Sequence, residues 1–303
     1  MKIFNCFSLL IFTLIACTPN EEKTTEKPVS KDSIFYVLKI NEQTLKINPD
    51  EGARIVSFQE SGNELIGTGG STFWTSPQSQ WNWPPIKEHH NLSYTVQDFG
   101  DSLVLTSKAD SAMGLQIIKT FIPIGKDTSF LIRYSIMNTS DTIRSVAPWE
   151  NTRTFKEAIM LYPKGVTDST TSVDIFSKPV LVEKDGINWF AFDSSRIGGK
   201  EMGKLFAEGS EGWIANINKN YVFIKKFQDI GKEEIAPGEG EIEIWADLGS
   251  DFMEMEQQGP YVKLSPGQKT DWEVKWILRK IPDSIELKEG NPEIVQFIRY
   301  SIQ

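Results

Sequence analysis

Cysteine and histidine are scarce in this chain of 303 residues, which has two of each. Both cysteines, Cys6 and Cys17, lie near the start, so the rest of the chain has no disulfide and no thiol nucleophile. The histidines, His89 and His90, are adjacent, and on a strand their side chains would point to opposite faces. We therefore exclude a cysteine-rich zinc site, and we predict no metal and no cofactor.

A basic stripe, a phosphate-binding loop and a nucleophile elbow are also missing. The net charge is −9 and the pI is near 5.0, which argues against nucleic acid as a partner. The glycine-rich stretch at 67–70 is not followed by Lys-Ser or Lys-Thr, and no Gly-x-Ser-x-Gly turn supports a serine hydrolase. The side chains that remain for binding or chemistry are carboxylates, amides and tryptophans.

The first hydrophobic run is too short for a comfortable membrane span. Residues 3–16, IFNCFSLLIFTLIA, follow the basic start Met1-Lys2 and are typical of a secretory signal. The run ends in LIAC, which resembles the bacterial lipobox, where a small residue precedes a lipidated cysteine. We predict a lipoprotein signal at 1–17, lipidation of Cys17 and a location in the cell envelope. A plain anchor helix with an incidental cysteine is the alternative.

Residues 18–33, TPNEEKTTEKPVSKDS, are polar and charged. Such a segment cannot bury enough apolar surface to order itself. We predict a disordered tether here, followed by one domain over 34–303, so that the protein meets the membrane through its N-terminal lipid only.

From residue 34 onward the sequence is typical of consecutive strands separated by turns. Trp272, Val274, Trp276 and Leu278 alternate with residues of the opposite face, and β-branched and aromatic residues dominate such runs. With no linker and no fixed repeat, the pattern predicts an all-β fold, a single large antiparallel sandwich. The segment NPEIVQFIRYSIQ predicts a short C-terminal helix with Asn291 as its cap.

The segment STFWTSPQSQWNWPPIKEHH (71–90) places three tryptophans among polar residues and prolines. Flat aromatic rings stack on the C–H faces of sugars, and amides match sugar hydroxyls. We predict a carbohydrate site here; a lid of rings over apolar side chains is the alternative. The predicted ligand-binding residues of this segment are Trp74, Gln78, Trp81, Trp83, His89 and His90.

Two further segments carry candidate polar groups. In WENTR (149–153), Trp149, Glu150 and Arg153 combine a ring with a carboxylate and a guanidinium; a surface ion pair is the alternative. In FMEME (252–256), strand alternation puts Glu254 and Glu256 on one face. These two glutamates line a cleft in one interpretation and form a solvated face over a methionine core in the other.

Three segments resemble the galactose mutarotase-like β-supersandwich of the aldose 1-epimerase superfamily. They are GARIVSFQESGNELI (52–66), SIMNTSDTIRSVAPWENTRTF (135–155) and FMEMEQQGPYVKLSPGQKTDWEVKWIL (252–278). The segment STFWTSPQSQWNWPP is similar to the DUF4380 branch of bacterial secreted proteins and lipoproteins. The resemblance implies that the all-β domain is a supersandwich with its site on the segments quoted.

The resemblance also implies catalytic roles. In active mutarotases a histidine donates a proton to the ring oxygen, and a late glutamate removes one from the anomeric hydroxyl. The late glutamate corresponds to Glu254, with Glu256 as the second choice. The position of the histidine falls at or next to Glu150, which departs from the family pattern. A Glu150 desolvated by Trp149 could replace the acid, with Glu254 as the base.

We therefore expect a lipid-anchored, extracytoplasmic carbohydrate-binding protein, monomeric, either without catalysis or with an aldose-epimerase-like isomerase activity. The alternative is a non-catalytic structural or assembly lipoprotein that uses the same sandwich as a protein-interaction surface. Glycoside cleavage would need two facing carboxylates at a defined separation.

Overall fold

A computed structural model describes residues 28–81, 83–166, 170 and 175–303. The predicted signal, Cys17, residues 18–27 of the predicted tether and Asn82 lie outside the described residues. Over the described part, the chain folds into two antiparallel sheets of eleven and ten strands. In chain order the strands are β1 (Val29–Asp32), β2 (Phe35–Ile40), β3 (Gln43–Asn48), β4 (Arg54–Glu60), β5 (Asn63–Glu64), β6 (Ser71–Ser76), β7 (Thr95–Asp98), β8 (Leu103–Thr106), β9 (Leu115–Ile124), β10 (Ser129–Asn138), β11 (Arg144–Phe155), β12 (Ile159–Pro163), β13 (Val182–Lys184), β14 (Ile187–Ala191), β15 (Met202–Ala207), β16 (Trp213–Asn218), β17 (Tyr221–Phe227), β18 (Ile242–Asp247), β19 (Phe252–Gln258), β20 (Val262–Leu264) and β21 (Lys269–Lys280).

The eleven-stranded sheet has the order β1-β2-β3-β4-β6-β11-β19-β18-β15, with β5 beside β4 and β20 beside β11. The ten-stranded sheet has the order β13-β14-β12-β16-β17-β21-β10-β9-β8-β7. Consecutive strands are mostly hairpin neighbours, but β11 lies between β6 and β19. This crossing brings the tryptophan segment, WENTR and FMEME onto adjacent strands.

The two sheets pack face to face around a large apolar core. Phe58 of β4 meets Phe223 of β17 and Trp276 of β21 at ring distances of 5.1 and 5.4 Å, and Phe73 of β6 stacks on Tyr134 of β10 at 4.4 Å. A buried side chain of this size contributes about 1.5–3 kcal/mol of transfer free energy. The predicted all-β sandwich is thus confirmed.

The helices in the described residues are short. α1 (Lys87–His90) is one turn, and α2 (Pro292–Ser301) is the predicted C-terminal helix. The Asn291 side chain accepts a hydrogen bond from the Glu293 amide, as a cap should, and Ile294 and Ile298 pack on the outer side of the ten-stranded sheet. Three 3-10 helices span Gln78–Gln80, Ser194–Arg196 and Lys232–Glu234.

The sheet begins earlier than the sequence pattern indicates. β1 starts at Val29, inside the segment predicted as tether, and pairs with β2 from Val29 opposite Leu38 to Asp32 opposite Phe35. Val29 is buried, so a single apolar side chain attaches this edge strand to the core. No helix in the described part of the chain is long and apolar enough to cross a membrane.

Candidate functional site

The face of the eleven-stranded sheet turned away from the ten-stranded sheet, here called the outer face, collects most of the predicted site residues. Directly paired residues of an antiparallel sheet share a face. Trp74 and Trp149 are therefore cross-strand neighbours on this face. Asn151 and Glu256 form the next such pair along β11, and Arg153 and Glu254 the one after it. Met253 and Met255 are in the core, which confirms the alternation predicted for FMEME.

Four tryptophans form one cluster on this face. Trp74 and Trp149 contact each other edge to face at 4.9 Å, and Trp81 lies 6.1 Å from Trp74 and 6.3 Å from Trp149. Trp83 adds a further edge contact with Trp74 at 6.0 Å. Trp149 is only 2% exposed, whereas Trp83 is 66% exposed. Trp74 and Trp149 thus form a packed floor, and Trp83 presents an accessible ring.

Trp81 fits in part the alternative interpretation of this segment, a lid of rings over apolar side chains. Its indole N–H donates to the Thr75 carbonyl at 2.8 Å, and its ring is half-buried against the core. Gln78, at the start of the loop, is held by its backbone N–H, which donates to Glu239 Oε1 at 2.7 Å. The loop is therefore bound to the outer face at both of these residues.

The two histidines lie in the one-turn helix α1 rather than on a strand as assumed from the sequence, and their side chains point to different surroundings. His90 faces the cluster: the Trp74 indole N–H donates to its Nδ1 at 3.0 Å, and Arg54 Nη2 lies 3.3 Å from its Nε2. Burial and then the charge of Arg54 lower the pKa of His90 to about 4, so the ring is neutral at pH 7.

His89 lies inside the sandwich and does not belong to the site. Its Nε2 is 3.1 Å from the Leu115 carbonyl and 3.5 Å from Asp110, and burial lowers its pKa. The Tyr94 hydroxyl donates to the His89 carbonyl at 3.0 Å. The prediction that His89 binds ligand is corrected for this reason: its polar partners are all interior.

Arg153 and Glu254 form the accessible charged pair of the outer face. Arg153 Nε donates to Glu254 Oε1 at 3.2 Å, and the guanidinium lies 4.2 Å over the Phe252 ring. Their side chains are 34% and 13% exposed. A Cβ at Gly69 would overlap Arg153, and its φ of +93° also favours glycine. The Gly69 carbonyl accepts from Arg54, which brings the two guanidinium groups close together.

A second charged cluster, Lys204 with Glu243 and Glu256, lies deeper on the same face. Lys204 Nζ is 2.8 Å from Glu243 Oε2 and also contacts Glu256. The Trp149 indole N–H donates to Glu256 at 2.8 Å, and Gln258 Nε2 donates to Glu243 at 2.6 Å. These contacts place the acids directly against the tryptophan floor.

Two carboxylates share one ammonium group in this cluster, and all three are buried. Burial raises the pKa of Glu256 to about 8 and that of Glu243 to about 7, although Lys204 acts in the opposite direction on both. The pKa of Lys204 is raised because the two carboxylates outweigh its burial. Since ionising both acids would leave a net negative charge out of water, we conclude that the pair keeps a proton into the neutral range.

Glu150 is not in the site. It follows Trp149 on β11, so alternation turns it to the interior, where Lys225 Nζ lies 2.6 Å from it. It also accepts from the Tyr134 hydroxyl at 2.5 Å, from Gln257 at 2.8 Å and from the Trp276 indole at 3.1 Å. The predicted catalytic pair of Glu150 and Glu254 is therefore corrected, because the sheet separates the two side chains.

Several outer-face residues were missed from the sequence. Glu243 could have been found, since EIEIW alternates and puts Glu241, Glu243 and Trp245 on one face. Arg54 and Lys204 gave no signal: Lys204 is the single charged residue of an otherwise uncharged strand, and Arg54 is the first residue of β4, where no acid or aromatic residue is adjacent to it in the sequence. Among the described residues, no group of three or more His, Cys, Asp or Glu side chains could hold a metal ion.

The fold is shared with solved structures of low sequence identity. A galactose mutarotase-like protein from Lactobacillus casei has a TM-score of 0.60 at 12% identity, over 81% of this chain and 100% of that one. The Slr1438 protein of Synechocystis has a TM-score of 0.57 at 15% identity, over 84% and 98%. Galactose 1-epimerase from Lactobacillus acidophilus has a TM-score of 0.52 at 13% identity, over 82% and 95%.

At these identities the similarity demonstrates the fold alone. No curated protein is significantly similar to the chain in sequence. The family model described as a domain of unknown function, DUF4380, matches residues 34–279. The chain therefore belongs to the DUF4380 family, and its domain has the galactose mutarotase-like fold that the sequence resemblance implied.

Proposed function

We propose that this chain is a carbohydrate-binding protein, tethered in the cell envelope by a lipid on Cys17. The observation that carries the proposal is the gathering of four tryptophans on one face of one sheet beside charged side chains. Indole rings stack on the C–H faces of sugars, and guanidinium and carboxylate groups hydrogen-bond their hydroxyls. The site thus offers both kinds of contact that a saccharide needs.

Three groups are accessible enough to meet a ligand first: the Trp83 ring, the Arg153 guanidinium and the Glu254 carboxylate. Arg153 is pre-organised, because Phe252 supports its plane and Glu254 holds its Nε. A wholly apolar ligand fits this surface less well, since it would cover these charges without hydrogen-bonding them.

An aldose-epimerase-like activity is the second candidate, and one observation favours it. Glu254 lies next along the outer face of β19 from Glu256, whose cluster retains a proton near neutral pH. A carboxylate base and a protonated acid are the groups that mutarotation needs. Because both residues lie on one strand, they do not flank a sugar ring from opposite sides, and we favour binding without catalysis.

The proposal is tested by removing the exposed ring. Trp83→Ala should weaken saccharide binding about tenfold, which corresponds to about 1.4 kcal/mol, because the stacking surface is lost. Isothermal titration calorimetry against glucose, galactose, mannose and xylose, and against their oligomers, measures this change. Phe99→Ala is the matched control, since Phe99 is 63% exposed in the turn between β7 and β8.

Equal affinities for wild type and Trp83→Ala would remove the tryptophan cluster as the binding site. Absence of binding to every saccharide, with Trp83→Ala unchanged in all properties, would instead favour a structural or assembly role for the outer face. The test does not depend on the lipid, so a soluble chain starting after Cys17 suffices for it.

A further inference from the structure

A cavity of about 450 Å³ opens beside the tryptophan cluster, at the β15 edge of the eleven-stranded sheet. Phe206 forms one wall, and the segment before β18 forms the other with Lys232, Ile235, Ala236 and Glu239. The volume is in the range of pockets that bind small ligands, which is about 300–1,000 Å³. The lining combines an aromatic ring and aliphatic side chains with two acids, Glu208 and Glu239, and one base, Lys232.

Glu239 connects this cavity to the rest of the outer face. Its Oε1 accepts the Gln78 N–H, so it touches the loop that carries Trp81 and Trp83. It also lies close enough to Glu243 for its charge to raise the pKa of that residue. Burial raises the pKa of Glu239 itself. One carboxylate is therefore shared by the cavity, the tryptophan loop and the cluster around Lys204.

Lys204 makes a second connection between the cavity and the tryptophan cluster. Its ammonium group lies 5.5 Å from the Trp149 ring and 5.5 Å from the Phe206 ring. Phe206 pairs directly with Glu243 across β15 and β18, so its side chain shares the outer face. The ammonium group of Lys204 therefore lies between the tryptophan floor and the Phe206 wall of the cavity.

We propose that the cavity is a second saccharide subsite and that the ligand is an oligosaccharide rather than a single sugar. One unit stacks on Trp83 beside Arg153. A later unit of the same saccharide enters the cavity, with its C–H groups against Phe206 and Ile235 and its hydroxyls on Glu239 and Lys232. The inference rests on the proposed function, because it extends the same outer face.

The experiment compares ligand length in proteins with an open and a filled cavity. Glucose, galactose, mannose and xylose are each titrated beside their own oligomers of two to four units. Wild type should bind an oligomer at least about tenfold more tightly than its monomer. Ile235→Trp should abolish that gain and leave the monomer affinity within about twofold, because the new indole fills only the cavity.

Ile34→Trp is the control, since it adds the same ring at an exposed position between β1 and β2, at the opposite edge of the sheet. Lys232→Ala, at an exposed position, is the second variant if Ile235→Trp does not fold; it should reduce the oligomer gain and spare the monomer.

The outcomes separate this inference from the proposed function. Equal binding of monomers and oligomers, with loss in Trp83→Ala, would overturn the second subsite and leave carbohydrate binding intact. A length gain that survives both cavity variants would also overturn it. If no saccharide binds and Trp83→Ala has no effect, the proposed function itself fails, and the subsite with it.

Discussion

Two buried lysine–glutamate clusters lie on opposite faces of the eleven-stranded sheet, and they differ in how their charges are balanced. In the interior, Lys225 pairs with one carboxylate, Glu150, and also contacts Thr152 and Gln257. On the outer face, Lys204 lies between two carboxylates, Glu243 and Glu256. The interior cluster is neutral and its carboxylate accepts several hydrogen bonds, whereas the outer one has an excess acid.

The difference shows which cluster belongs to the framework and which to the site. A buried ion pair is tolerated when each charge has a partner and the remaining hydrogen bonds are made, as they are around Glu150. The outer cluster instead retains a proton, and it touches both Trp149 and the cavity wall. The interior cluster therefore belongs to the framework of the sandwich, and the outer cluster adjoins the site that we propose for the ligand.

The largest effect should come from breaking the interior pair. Glu150→Ala leaves the Lys225 ammonium buried without its carboxylate, so the free energy of unfolding should fall by about 3–5 kcal/mol. Chemical denaturation followed by tryptophan fluorescence measures the loss. A decrease below about 1 kcal/mol would contradict the framework role, because it would mean that Lys225 finds another partner or water at little cost.

The outer cluster should make stability depend on pH. The pKa values of Glu243 and Glu256 are raised to about 7 and about 8 from 4.5, so the folded chain binds more protons than the unfolded chain in that window. The contribution of the outer cluster to the free energy of unfolding is therefore complete below pH 4.5 and is lost as the pH rises through neutral. This contribution to the free energy of unfolding should fall between pH 5 and pH 8. The histidines act in the opposite direction below about pH 6.5, because the pKa of His90 is lowered to about 4.

Glu256→Gln should reduce that fall by on the order of 1–2 kcal/mol, because the amide cannot ionise. Glu241, whose pKa burial raises to about 7, contributes a slope of its own that the variant keeps. The measured quantity is thus the difference between the two proteins. Parallel curves for wild type and Glu256→Gln would show that the pair holds no proton.

The smallest effect on stability is expected for the accessible pair. Glu254→Gln should change the free energy of unfolding by less than about 1 kcal/mol, because its partner Arg153 is one-third exposed to water. The same variant tests catalysis: if the chain is an isomerase, NMR should show slower anomer exchange in Glu254→Gln than in wild type. Identical rates over the sugar panel would exclude Glu254 as a catalytic base.

Alternation predicted some faces correctly and failed at one strand. In FMEME and in the strand of Trp272 to Leu278, acidic or charged residues alternate with buried apolar ones, so the buried face is evident from the sequence. WENTR breaks that pattern, because the polar Glu150 faces the core and the large Trp149 faces outward. Only the pairing of Trp149 with Trp74 and of Glu150 with Gln257 decides which of these side chains face the core.

The prediction that both histidines bind ligand was wrong for His89, and the reason is different. A single turn of helix carries them, and a segment of four residues has too little periodicity to be recognised in a sequence. Trp74 and Arg54, which hold His90 on the outer face, come from separate strands. Lys204 is a comparable case, since its importance depends on two acids that lie 39 and 52 positions later in the chain.

The sequence by itself determined the all-β class, the C-terminal helix and the resemblance to the mutarotase-like fold, because hydrophobic alternation, caps and turns are local properties. Tertiary structure alone decided which glutamates face the interior, which tryptophan is accessible and where the cavity opens. The physical reason is that one residue of strand register moves a side chain to the opposite face, and register is fixed by contacts with strands distant in the chain.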